Sequence, residues 1–418
     1  MAVALVIAAT AGSSLAILAA LDLAAAPANV NAIVQGHGRI QVVSFAAVFV
    51  LALLFEFIVR LNQRPALPIG PRVLAIALVG AGAAGVAAGQ IAEGDANWLM
   101  VSAAAAGAIG AVTALALVLR VRPAAPIRAD AHWYFFVAAV SWLLVASLLT
   151  VAGALDAIRG VLQGSDARAM YEVLLRGFIL NTIVAVTLRA VPGHLGVPPV
   201  PARRQLMVLG GVNLALLAWV SGSGAAFLAW SPALMRTGDL LLAVTLLVFA
   251  WWSGVLQAFR LPGRGFPRYQ TLIPLAWLGA ITYAVLLLGF SVNGLVPGAT
   301  GYQEGAVRHA FLLGFMVPLM FAFAHIVLGR FGTGAFPGEN WMTLAFVLVF
   351  MAWPLRVIPA LLPGTPGDGV NHAIAMSGGV TAVAFALAAG VCAATAVGIR
   401  RHHRQRATVE PGAICATG

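Results

Sequence analysis

The chain contains no lysine. All 24 basic residues are arginine, Asp and Glu together number 13, and charged residues fill only 9% of the 418 positions. Soluble domains carry about a quarter charged residues. With 61% hydrophobic residues and a mean hydropathy of +0.98, the apolar surface exceeds what a soluble fold of this length can bury, and a polytopic membrane protein is left. The formal charge of +11 would suggest nucleic acid on a soluble basic face. Here it reflects loop arginines at a bilayer surface, and no nucleic-acid partner is expected. The two cysteines, Cys392 and Cys415, have no ligand spacing, which excludes a disulfide framework or a cysteine metal cluster. There is no Gly-rich phosphate loop, no H-E-x-x-H and no C-x-x-C, so nucleotide hydrolysis and zinc peptidase chemistry are excluded. No basic segment precedes the first apolar run, which reads as a span and not a cleaved signal. No connection is long enough for an extramembrane domain, so any chemistry lies among the helices.

What is present is a series of apolar runs of bilayer length. The sequence predicts an all-α integral membrane protein of twelve transmembrane helices at 3–23, 31–60, 73–92, 98–119, 132–155, 170–190, 205–222, 238–259, 271–290, 306–329, 341–361 and 371–399. The seventh is the least distinct, because the apolar GSGAAFLAWSPALM just after it could lie in the interface. Residues 1–400 form one transmembrane domain, and 401–418 a basic cytoplasmic tail that includes His402 and His403. Seventeen of the 24 arginines lie after even-numbered spans, which places both termini in the cytoplasm. A weak repeat links span two, LLRGFILNTIVAVTLR of span six and AFLLGFMVPLMFAFAHIVLGR of span ten, and suggests three pseudo-symmetric four-helix arcs.

Ionisable residues at membrane depth mark functional candidates. Span two opens QGHGRIQVVS, where His37, Gln41 and Ser44 follow the 0, 4, 7 spacing of one helix face. Gly36 and Gly38 flank the histidine and leave its backbone open to a flat ligand. His309 lies at matched depth in span ten, which runs in the same direction. Two neutral imidazoles on separate helices are what a six-coordinate haem iron requires. Haem propionates need positive partners, and Arg39, Arg308 and Arg356 are the candidates, with interfacial snorkelling the plainer reading for the last two. His325, sixteen residues beyond His309, is ~24 Å further along the helix and cannot serve the same iron. With Glu56 it reads as a local hydrogen bond, a proton path or a second ligand site. His372, at the start of span twelve, is a boundary histidine or a reserve axial or second-metal ligand. Glu172 and Arg176 have the spacing of an internal ion pair. His132 and His194 fall at span ends and read as interfacial.

Span two (HGRIQVVSFAAVFVLALLF), span six (RGFILNTIVAVTLRAVPGH), span ten (RHAFLLGFMVPLMFAFAHIVLGRFG) and the LRV of span eleven together resemble the NnrS family, haem- and copper-containing membrane proteins linked to nitric oxide metabolism. More distantly, the plan is similar to subunit I of the haem-copper oxidases. There, histidines of helices two and ten hold a low-spin haem, and arginines after helix eleven bind its propionates. His37, His309 and Arg356 fall at comparable places, but the copper-site histidines of helices six and seven are missing, with Tyr171 and Glu172 in span six. The resemblance implies haem b, copper as a further cofactor, the bacterial inner membrane and a redox partner or larger respiratory complex. The expected role is electron transfer or nitric oxide handling, with oxidoreductase activity left open. The alternatives are a cofactor-free transporter or channel, and a non-catalytic subunit of a redox complex.

Overall fold

A computed structural model describes residues 2–13, 30–92, 97–123, 130–158, 164–225, 228–260, 269–293, 301–331, 338–361 and 368–409. Among these residues the fold is all-helical, and a single isolated bridge pairs Ser223 with Trp230. Twelve helices match the twelve expected spans. The first, α1, is described over Ala2–Ile7 and a π-helical turn at Ala8–Gly12; the rest of the expected 3–23 span lies outside the described residues. Three further helices are composite. In α2, Val30–Arg39 leads into a π-helical segment, Ile40–Ala47, and then Val48–Leu61. In α6 the order is Gly164–Glu172, π-helical Val173–Ile179 and Leu180–Leu195. In α10 it is Gly301–Phe311, π-helical Leu312–Met316 and Val317–Phe331. The others are α3 (Ile69–Ala92), α4 (Asn97–Arg120), α5 (His132–Ile158), α7 (Ala202–Ser221), α8 (Pro232–Trp252), α9 (Tyr269–Val292), α11 (Glu339–Leu361) and α12 (Asp368–Val409). Eleven of them, all but α1, are long and apolar enough to cross a membrane among the described residues.

Burial sorts the helices into two classes. The most apolar windows of α2, α6 and α10 are 67%, 89% and 83% buried, whereas those of the other eight are 33–56% buried. A helix hydrophobic all round and buried all round belongs to the inside of a bundle, so α2, α6 and α10 form the inner set and the rest present apolar side chains outward. These three are the helices that carry the sequence repeat, and each holds a π-helical segment, as α1 does at Ala8–Gly12. Their mutual contact leaves a cavity of about 40 Å³, lined by Leu53 and Phe57 of α2, Ile183 and Val186 of α6, and Met320 and Phe323 of α10.

At three boundaries the departure from the expected span is sharp. The expected span 238–259 begins at Pro232, because Ser231 accepts the Leu234 N–H and proline suits the first helical position. It stops at Trp252 because Gly254 takes φ +65°, where an L side chain is disfavoured, and a short 3-10 turn, Val255–Arg260, comes next. At the other end of the chain α12 continues helically to Val409, past the expected end of the span at 399, so the start of the basic tail extends the helix. Residues 410–418 lie outside the described residues.

Candidate functional site

The first turns of α2, α6 and α10 meet at one end of the bundle. His37 and His309 each lie three residues before the start of their π-helical segments, at Ile40 and Leu312. A π-helical turn inserts one residue into the α-helical ladder, reorients the side chains beside it and is frequent at functional sites. It also divides the face expected from the 0, 4, 7 spacing. Gln41 donates to the Ala8 carbonyl of α1 at 3.2 Å, while Ser44 donates to the Gly80 carbonyl of α3 at 3.3 Å. These polar residues therefore turn to different neighbours and do not form one stripe with His37.

The imidazole of His309 interacts electrostatically with His37, Arg308 and Arg356. Its Nδ1 lies 2.6 Å from the Gly305 carbonyl one turn earlier. With Nδ1–H donating there, Nε2 carries the lone pair, which is the tautomer of a histidine that ligates through Nε2. Arg356 of α11 approaches the same turn: its Nη2 is 3.9 Å from where a Cβ at Gly305 would stand. On the α2 side, Tyr171 of α6 donates to the Gln35 carbonyl at 2.8 Å and packs against Gly38, where a Cβ would sit 2.7 Å from the phenol oxygen. Gly38 thus admits a side chain of α6, an occupant the sequence reading did not anticipate. Arg39 is buried and donates through Nε to Gln90 at 2.7 Å; Gln90 in turn donates to Gln35 at 3.0 Å.

Beside the histidines runs a chain of six alternating charges. Arg168 pairs with Glu304 at 2.9 Å, Glu304 with Arg308, Arg308 with Glu172 at 3.0 Å, Glu172 with Arg176 at 2.7 Å, and Arg176 with Asp239. Three arginines offset three carboxylates, so the chain is formally neutral when all six are ionised. Side-chain exposure is 15–19% at Arg168, Glu304 and Arg308, then 7% at Glu172, 2% at Arg176 and 0% at Asp239. The Glu172–Arg176 pair expected from spacing is present, but each member has a second partner on another helix. Arg308, expected beside a propionate, is engaged by two carboxylates. The chain joins α6, α8 and α10, and Arg176 also lies 5.3 Å from the Trp219 ring of α7.

The remaining sequence candidates are dispersed. His325 is 2% exposed, deep in the second half of α10. Glu56 is held by Arg60 at 2.8 Å and by Arg72 at 3.7 Å. His372 is exposed near the start of α12. His132, expected at the interface, is 4% exposed and bonds through Nε2 to Asn62 Oδ1 at 2.8 Å. Among the described residues no group of three or more His, Cys, Asp or Glu is placed to hold a metal ion.

Sequence reading missed Arg168, Glu304 and Asp239. For the first two a signal existed: Arg168, Glu172 and Arg176 recur at i, i+4 and i+8, and Glu304 and Arg308 at i, i+4. Asp239 is a lone acid among leucines, which should itself have drawn notice. With this geometry in hand, comparison of the chain with family models and with curated proteins gives no match.

Proposed function

We propose that the end of the bundle where His37 and His309 lie binds haem b, with the two imidazoles as its iron ligands, and that the protein acts in electron transfer or nitric oxide handling. The observation that carries this reading is the environment of His309, whose Nδ1 is tied to Gly305 while the ring interacts with His37 and Arg356. A ligand histidine commonly has its second ring nitrogen fixed in this way, which sets the tautomer and ring plane. The donor set fits haem iron: two neutral nitrogen ligands, with a guanidinium close by for a propionate. Arg356 suits that role better than Arg308, whose charge is offset by Glu172 and Glu304, or Arg39, which is buried against Gln90.

A haem held by His37 and His309 would supply one-electron chemistry and an iron able to bind a diatomic gas. The chain's own residues orient the imidazoles and place positive charge at one edge of the site. Copper, which the family resemblance implies, has no three-residue donor set among the described residues and enters no step. The arginine distribution supports an inner-membrane orientation with both termini in the cytoplasm, which puts the haem in the outer half of the bilayer. A redox partner would then dock on the outer face.

Replacing either histidine tests the assignment. His37→Ala and His309→Ala are each expected to lose the low-spin haem spectrum, while Arg356→Gln keeps the haem and shifts its midpoint potential. Full haem content and an unchanged spectrum in both histidine variants would refute the proposal.

A further inference from the structure

Asp239 is the inner end of the charge chain and sits on α8, a helix that the haem proposal does not use. Its side chain is 0% exposed. Oδ1 accepts from Arg176, whereas Oδ2 receives no hydrogen bond from any described residue. Glu304, Arg308, Glu172 and Arg176, in the interior of the chain, each contact two opposite charges. Asp239, the inner end, contacts one. Arg168 is partly exposed and can be solvated, but Asp239 is not, and it shares its one arginine with Glu172. Asp239 is therefore the carboxylate whose charge is least compensated. An anionic oxygen without a donor, taken out of water, costs several kcal/mol, and taking up a proton removes that cost.

From this geometry we infer that Asp239 is a proton-binding site within the membrane: Oδ2 takes up and releases a proton while the other five members of the chain stay charged. Forming the O–H bond takes the chain from neutral to a single positive charge. The groups facing Asp239 come from each neighbouring helix. Arg176, Glu172 and Arg168 interact with it from α6. From α9, Tyr283 interacts with it and with Arg176. The Trp219 ring of α7 packs against Arg176, and Arg236 lies one turn earlier on α8 itself. Arg168, Glu172 and Arg176 recur every four residues along α6, so the site lies ~12 Å along the helix from the chain's exposed end. That end faces the side of the membrane where His37 and His309 lie, and it is the side from which the proton would exchange.

Infrared difference spectroscopy on the purified full-length protein across a pH titration tests this without reference to any cofactor. Wild-type protein should show one narrow carboxylic-acid C=O band while exposed carboxylates are still ionised, and the band should shift in D2O. Asp239→Asn should abolish it; Glu304→Gln, at the exposed end of the chain, should retain it. If Asp239→Asn does not fold, carbon-13 labelling of aspartate in the wild type should move the band. Absence of the band throughout the folded range, its persistence in Asp239→Asn, or a band that moves only with labelled glutamate would overturn the proposal.

Discussion

At the scale of single residues, the placement of charge is the least expected property of this chain. Glu172 separates two arginines, Arg176 and Arg308, at 7% side-chain exposure. Glu172→Gln would leave two cations facing a neutral amide, and breaking a buried pair in this way costs ~3–5 kcal/mol. A large fall in thermal midpoint is expected in detergent, with a smaller one for Glu304→Gln, which is 16% exposed. Asp130, just ahead of α5, makes a different prediction. Burial pushes its carboxyl up, but hydrogen bonds to His132 and the charges of His132 and Arg189 outweigh burial and hold it below the usual carboxylate range. A lowered folded-state value contributes stability that is complete above the unfolded value of about 3.9 and is lost as pH falls through the folded one. Thermal midpoints measured against pH should therefore drop more steeply in acid for wild type than for Asp130→Asn, and equal slopes would contradict the role given to Asp130. Of these residues, the Glu172–Arg176 pair was legible because its spacing is local. The links to Arg308, Glu304 and Asp239 were not, because their partners lie 63 to 136 positions apart in sequence.

At the scale of elements, the apolar runs made most span ends readable to within about six residues. Length and hydropathy alone separate a bilayer-spanning helix from its loops. The π-helical segments at Ile40–Ala47, Val173–Ile179 and Leu312–Met316 left no such trace. One inserted residue alters neither composition nor length enough to register, yet it rotates the remainder of the helix by ~100°. Deleting one residue from 173–179 should restore α-helical continuity, turn Arg176 away from either Glu172 or Asp239, and lower stability with little change in helix content by circular dichroism. Packing between elements is equally specific. A Cβ at Gly279 of α9 would collide with the Gly314 carbonyl of α10. Membrane helices approach this closely only through small residues. Gly279→Ala should force α9 from the inner helix at a cost of ~1–3 kcal/mol or more, read as a lower thermal midpoint; an unchanged midpoint would contradict so close a crossing.

For the whole molecule, three inner helices with similar first turns stand within a shell of more exposed ones. Repeat and burial coincide on α2, α6 and α10, the first read from sequence and the second from structure, and each of the three holds a π-helical segment, which α1 also has. His37 and His309 hold matched positions, three residues ahead of a π-helical segment, although they are 272 positions apart in sequence. Just ahead of the π-helical segment of α6 stand Tyr171 and Glu172, which bond toward α2 and α10 respectively. One inner helix thus buttresses the other two, and the haem proposal assigns the imidazoles of those two to a single iron. The most direct measurement is the visible spectrum of purified wild-type protein, oxidised and then reduced by dithionite. The account predicts the sharpened α-band of a low-spin haem b on reduction, with one haem per chain by pyridine haemochrome. Colourless, correctly folded protein that takes up no haem when it is offered would contradict it.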